Sequence, residues 1–136
     1  LPEPEFQSGM SFKTLSPIIL SYRDHTATQY SEYMYPKGER FTQLFFVDLE
    51  TKYKIFRKFN LHFSEIEDQY SYDLKLTSHT RSAIVAVKAL TPEEAKLQGY
   101  MFNFDAQAPV DLLRAGYYLG FGEKNAIGFG CCELNS

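Results

Sequence analysis

The sequence predicts an α+β domain of the ferredoxin-like class, a βαββαβ sandwich with a C-terminal glycine-rich loop. Three observations predict it. Strand-type apolar patterning occurs around residues 10–22, 70–90, 96–106 and 127–134. Helical signals occupy 39–59 and 108–120. The elements therefore follow one another as strand, helix, strand, strand, helix, strand, which is the split βαβ arrangement.

Each element has its own warrant. "MSFKTLSPIILSY" mixes alternating and β-branched apolar residues, and Pro17 marks an edge position or a bulge. "RDHTATQYSEYMYPKG" is polar and tyrosine-rich without a period, so it reads as a loop. In "ERFTQLFFVDLETKYKIFRKF", Phe41, Leu44, Phe45, Leu49, Tyr53 and Phe56 recur at helical spacing. Lys52, Lys54, Arg57 and Lys58 suit the negative end of that helix and read as a solvated, capping cluster. "SAIVAVKAL", the turn "TPEE" and "KLQGYMFNFDA" form a hairpin. Tyr100, Phe102 and Phe104 alternate onto one face, which serves either as core or as a base-stacking surface; a sheet covered by helices favours core. "APVDLLRAGYYLG" has Pro109 near the first turn and Gly120 as its stop. "IGFGCCEL" closes the fold as a short strand. Residues 1–9 read as a leader or linker, and 10–136 as the domain.

Composition limits the function classes. The 136 residues suffice for one sizeable core, and 44% hydrophobic content is ordinary for a globular chain. No apolar run approaches the roughly 20 residues of a membrane span, and no signal peptide is visible. A formal net charge of −3 argues against gripping nucleic acid over the whole surface, while leaving room for a local basic patch. The two cysteines, Cys131 and Cys132, are adjacent; strand neighbours point to opposite faces, so neither a disulfide nor a zinc site is expected. No histidine pair shows metal-ligand spacing, and no cofactor is expected. A reduced cytoplasmic setting fits.

Half of the chain's eight glycines fall in two Gly-Phe-Gly triplets, 120–122 and 128–130, around Glu123-Lys124-Asn125-Ala126-Ile127. A dinucleotide fingerprint needs a strand before and a helix after the glycines, and here the order is reversed. A Walker loop needs Gly-Lys-Ser/Thr before a helix, which is absent. "IGFGCCEL" echoes an RNA-recognition motif, but Ile127 replaces its basic residue and Cys131 its stacking aromatic. Glycines before a strand often mean only a tight turn. Two symmetric triplets about a lysine also fit an anion cradle, with several backbone N–H groups converging on one ligand beside Lys124.

This G-h-G-x5-G-h-G loop (h, hydrophobic), after a short helix and before a terminal strand, resembles the glycine-rich loop of the RAMP superfamily of CRISPR-associated proteins. "LLRAGYYLGFGEKNAIGFGCCEL" is similar to the C-terminal end of the CRISPR repeat-RNA endoribonuclease family, the sixth CRISPR-associated family, and "FKTLSPIIL" resembles the opening of its C-terminal domain. The resemblance covers most of the chain. Family members usually carry two ferredoxin-like domains, so the chain is expected to be the C-terminal half of a longer protein, the missing domain being one partner, with a naturally short homologue as the alternative. The resemblance implies metal-free cleavage of repeat RNA, a ribose 2′-OH attacking the adjacent phosphate with help from a general base.

The residues offer candidates for those roles. His25, near Arg23 and many hydroxyls, is the candidate general base, although it reads more readily as a solvated loop histidine; His62 and His79 receive no role. Gly120, Gly122, Lys124, Asn125, Gly128 and Gly130 are the expected contacts to the RNA backbone. Arg114, Lys13 and Arg23 extend that patch, Arg114 being as readily plain surface. The expected function is binding of CRISPR repeat RNA within an endoribonuclease that makes guide RNAs. The alternative is a non-catalytic subunit or assembly module of a CRISPR effector complex. Expected partners are repeat RNA, effector-complex subunits and a second copy of the chain in a homodimer; a blander reading is a ferredoxin-like protein-interaction domain.

Overall fold

The computed structural model describes residues 5–21, 33–59, 66, 69–87, 90–92 and 95–135. The described elements are β1 (Gly9–Thr14), α1 (Gly38–Phe59), β2 (Asp73–Leu76), β3 (Arg81–Val87), β4 (Ala95–Met101), β5 (Asn103–Gln107), α2 (Val110–Leu119) and β6 (Cys132–Leu134). Four strands form an antiparallel sheet in the order β2-β5-β1-β6, and β3-β4 form a separate two-stranded sheet. The predicted βαββαβ succession is present in β1-α1-β2-β5-α2-β6, with the β3–β4 hairpin inserted between the two middle strands.

Helix α1 has neither glycine nor proline after Gly38, and its terminal charges match its dipole: Glu39 in the first turn, Arg57 and Lys58 in the last. It buries Phe41, Phe45, Phe46, Leu49 and Tyr53. Helix α2 stops at Gly120, whose φ of 97° is open to glycine and whose N–H donates to Gly116 O. Gly116 itself sits mid-helix, where glycine costs about 1 kcal/mol relative to alanine. The Phe121 ring and Leu49 Cδ2 occupy the space a Cβ would need there.

On β1, Phe12 and Thr14 face the helices while Ser11 and Lys13 face outward; on β5, Phe104 and Ala106 do the same against Asn103 and Asp105. The core centres on four phenylalanines from four parts of the chain. Phe45 stacks on Phe121 with centroids 5.4 Å apart, Phe12 on Phe104 at 5.3 Å, and Phe12 meets Phe121 edge-on at 5.1 Å. Tyr100, Phe102 and Phe104 are all buried, as the core reading expects.

The predicted strands are broken where the chain changes sheet. The single strand expected over 10–22 ends at Thr14, and Pro17 lies in the break, consistent with its missing N–H. Beyond it Ile18 pairs with Tyr100 and Ser21 with Tyr33 as isolated bridges. "KLQGYMFNFDA" divides at Phe102, whose N–H leaves the ladder and donates to the buried Thr14 Oγ1 at 3.1 Å. The region 70–90 likewise divides into β2 and β3. The last strand is shorter than expected, because Asn125–Ile127 form a 3₁₀ turn and the left-handed φ angles of Gly128 and Gly130 keep 128–131 out of a strand.

Candidate functional site: the glycine-rich loop

Residues 120–130 form a frame that is folded back on itself and tied to three neighbours. The left-handed backbone positions are Gly120 (φ 97°), Gly122 (76°), Lys124 (63°), Gly128 (101°) and Gly130 (76°). Each triplet turns one phenylalanine inward. Phe121 is fully buried in the main core, and Phe129 is buried in a satellite cluster with Ile19 and Leu97. The symmetry of the motif therefore anchors one loop in two apolar clusters.

The loop's N–H groups are largely spent on protein acceptors. Phe121 N–H donates to Gly130 O at 2.8 Å, Glu123 N–H to Ile19 O at 2.7 Å, and Gly130 N–H to Pro17 O at 2.8 Å. Gly128 N–H and Phe129 N–H donate to Asn125 O and Lys124 O within the turn. The N–H groups of Phe121, Glu123, Gly128, Phe129 and Gly130 therefore face protein acceptors and do not contribute to the expected anion cradle. Asn125 also turns inward: its Nδ2 donates to Phe121 O at 3.2 Å and Phe129 O at 2.9 Å, bridging the two triplets.

Beneath the loop lies a lysine that the sequence reading placed in a solvated cluster. Lys52 Nζ donates to Gly120 O at 2.8 Å and Gly122 O at 2.5 Å, and pairs with Asp48 Oδ2 at 2.6 Å. Its side chain is 13% exposed and that of Asp48 12%. Burial pulls the Lys52 pKa below the usual lysine value, with Asp48 and then Glu123 opposing the shift. Lys54 does conform to the cluster reading: it is exposed and pairs with Glu50 one turn earlier. A signal for the inner pair was present, because Asp48 and Lys52 continue the Phe41–Phe45 stripe at i+7 and i+11. Glu123 was missed as well. Its carboxylate accepts from Ser21 N–H at 2.7 Å and Ser21 Oγ at 2.9 Å, fixing the loop to the strand-like segment after Pro17.

The remaining candidates are distributed as follows. Lys124 is exposed at the loop's outer turn, and Gly128 beside it meets nothing within 4 Å at its Cβ position. Lys13 is exposed on the sheet face opposite Phe12, between Asn103 and Glu133. Arg114 pairs with Asp111 at 3.1 Å and lies 5.7 Å over the Phe6 ring, engaged with the N-terminal segment. Thus the six loop residues are together, while Lys13 points outward from β1 and Arg114 is engaged by Asp111 and Phe6. His25, Arg23 and His62 lie outside the described residues; His79 is exposed. Among the described residues no group of three His, Cys, Asp or Glu is placed to hold a metal ion, and no helix is long and apolar enough to cross a membrane. Cys131 is exposed and Cys132 buried, both free, and burial raises the Cys132 thiol pKa far above its usual value.

Comparison with known proteins agrees with this architecture. A CRISPR-associated endoribonuclease Cas6 from Pyrococcus furiosus is 28% identical over 141 aligned residues, covering 98% of this chain and 45% of the relative. A solved CRISPR associated protein Cas6 superposes with a TM-score of 0.76 at 25% identity, covering all of this chain and 52% of the other. A solved RAMP protein described as binding different RNA substrates gives 0.78 at 20% identity and 52% coverage, which establishes the shared ferredoxin-like fold. The chain thus spans about half the length of the relatives it matches. The family described as CRISPR associated protein Cas6, C-terminal, matches residues 1–134, so the chain belongs to that family.

Proposed function

We propose that this chain binds CRISPR repeat RNA as the C-terminal, RNA-binding half of an endoribonuclease that cleaves precursor CRISPR RNA without metal. The family assignment and the relative named as a CRISPR-associated endoribonuclease support the RNA substrate. The single observation that supports the loop as the contact is Lys124, a cation exposed on a left-handed turn that is tied down by Asn125, Lys52 and two buried phenylalanines. A lysine contributes a point charge to phosphate without reading sequence, so its work is to position the RNA backbone. In-line attack by a ribose 2′-OH belongs, in this reading, to the longer protein.

The test incubates this chain in EDTA with end-labelled repeat RNA and reads binding and cleavage on parallel gels. Binding without cleavage is expected. Lys124→Asn keeps a residue tolerant of the left-handed region and removes the charge. It is expected to weaken repeat RNA uniformly and lower the salt slope of log K by about one. An unchanged salt slope overturns the role of the loop. Efficient cleavage overturns the division of labour and makes His25→Ala the next substitution.

A further inference from the structure

The face of α1 turned away from the glycine loop carries a second recessed site. Asp48 and Lys52 lie roughly half a helical turn around from Gln43 and Glu50. A cavity of about 320 Å³ opens there between α1 and the segment 69–72. Its floor and one wall are aromatic: the Tyr72 ring lies 4.8 Å from the buried Phe46, and Tyr70 stands 5.8 Å from Tyr72. Tyr72 keeps 39% of its surface exposed, so its ring is accessible to a ligand. Around the rings are the amides of Gln43 and Gln69 and the carboxylate of Glu50. Glu50 Oε2 accepts from Tyr70 OH at 3.3 Å, and Oε1 pairs with the largely exposed Lys54 at 3.2 Å. A carboxylate has about four acceptor positions, and these two long contacts leave capacity for more.

We propose that this cavity binds a guanine base, stacked against Tyr72 and read along its Watson–Crick edge by the Glu50 carboxylate. The volume sits at the small end of ligand pockets, which suits one base. Flat aromatic walls beside hydrogen-bonding side chains are the usual means of holding an unstacked base. The described lining residues carry one carboxylate and two amides, while the cationic Lys54 pairs with Glu50 Oε1 at 3.2 Å from outside that lining, so the groups facing the cavity suit a base edge better than a phosphate. Guanine alone among the four bases presents two adjacent donors, N1–H and the N2 amino group, matched to the two oxygens of one carboxylate. Adenine, cytosine and uracil each turn a lone pair toward it. The proposal extends the RNA-binding reading without resting on it, because free nucleotides test it.

The experiment is calorimetric titration of the chain with 5′-GMP, 5′-AMP and 5′-CMP, which share the same phosphate. GMP is expected to bind at least about tenfold more tightly than the other two, the low end of the discrimination that a bidentate contact supplies. Glu50→Gln keeps the side-chain volume and is expected to abolish that preference, while Tyr72→Ala weakens all three nucleotides together. An oligouridylate with one central guanosine that displaces GMP marks a site open to a base within RNA; one that fails to displace it marks a site for the free nucleotide. No saturable GMP binding, equal affinity for GMP and AMP, or a preference that survives Glu50→Gln overturns the proposal. Failure here leaves the Lys124 salt-slope test untouched, so the two readings fall separately.

Discussion

Replacing Lys52 by methionine removes a charge from beneath the glycine loop while keeping the length and apolar stem of the side chain. Three contacts disappear: the ion pair to Asp48 at 2.6 Å and the hydrogen bonds to Gly120 O and Gly122 O. Both side chains of the pair are almost nine-tenths buried, so solvent does little to compensate. Removing one partner of a buried pair costs about 3–5 kcal/mol, most of it from the charge left behind. Against a total stability of about 5–15 kcal/mol, that is a large fraction. At this chain length it corresponds to a fall in Tm on the order of 10–20 °C. Urea unfolding followed by far-UV circular dichroism measures it, with Asp48→Asn and the double variant completing a mutant cycle. The double variant is expected to be more stable than the sum of the single losses predicts, by at least about 1 kcal/mol. A loss below about 1 kcal/mol for Lys52→Met, or strict additivity in the cycle, would refute the claim that this lysine holds the loop.

Three further outcomes follow from the same geometry. Gly130→Ala puts a methyl group inside the van der Waals surface of the Phe121 carbonyl, whereas Gly128→Ala points into open space and meets only the left-handed strain of about 1–2 kcal/mol; chemical denaturation should show the first clearly costlier than the second. A chromogenic thiol reagent should titrate Cys131 in the native chain and Cys132 only after unfolding, because the latter is buried and its thiolate strongly disfavoured; rapid reaction of both native thiols would contradict that burial. Tyr70 has its pKa pushed up to about 12, chiefly by burial and then by Glu50. The folded state therefore holds its proton longer than the unfolded state, so its contribution is intact below pH 10 and lost between pH 10 and 12; Tyr70→Phe should make the fall in stability over that interval shallower in pH-dependent denaturation.

The sequence determined the element order of the main sheet and the two helices, because both rest on local chemistry. Helical spacing in Phe41, Phe45, Leu49 and Tyr53 places α1 without reference to the rest of the chain, and Gly120 stops α2 by its own backbone freedom. The placement of Tyr100, Phe102 and Phe104 in the core follows from the same kind of argument. The tertiary structure alone decided where the two loop phenylalanines go and which loop N–H groups pair inside the protein. A Gly-Phe-Gly triplet permits a cradle of free N–H groups as readily as a turn that buries its phenylalanine, and the choice depends on which carbonyls lie opposite. Pro17 and Ile19 supply two of those carbonyls from near the other end of the chain and Gly130 a third from within the loop, so the N–H groups of Gly130, Glu123 and Phe121 turn inward. Lys52 is the same lesson in charge. On a helix it resembles its exposed neighbour Lys54, and only the packing of α1 under residues 120–122 makes it a buried donor. Local preferences act within a few residues, whereas burial and pairing are set by segments that meet only when the chain has folded.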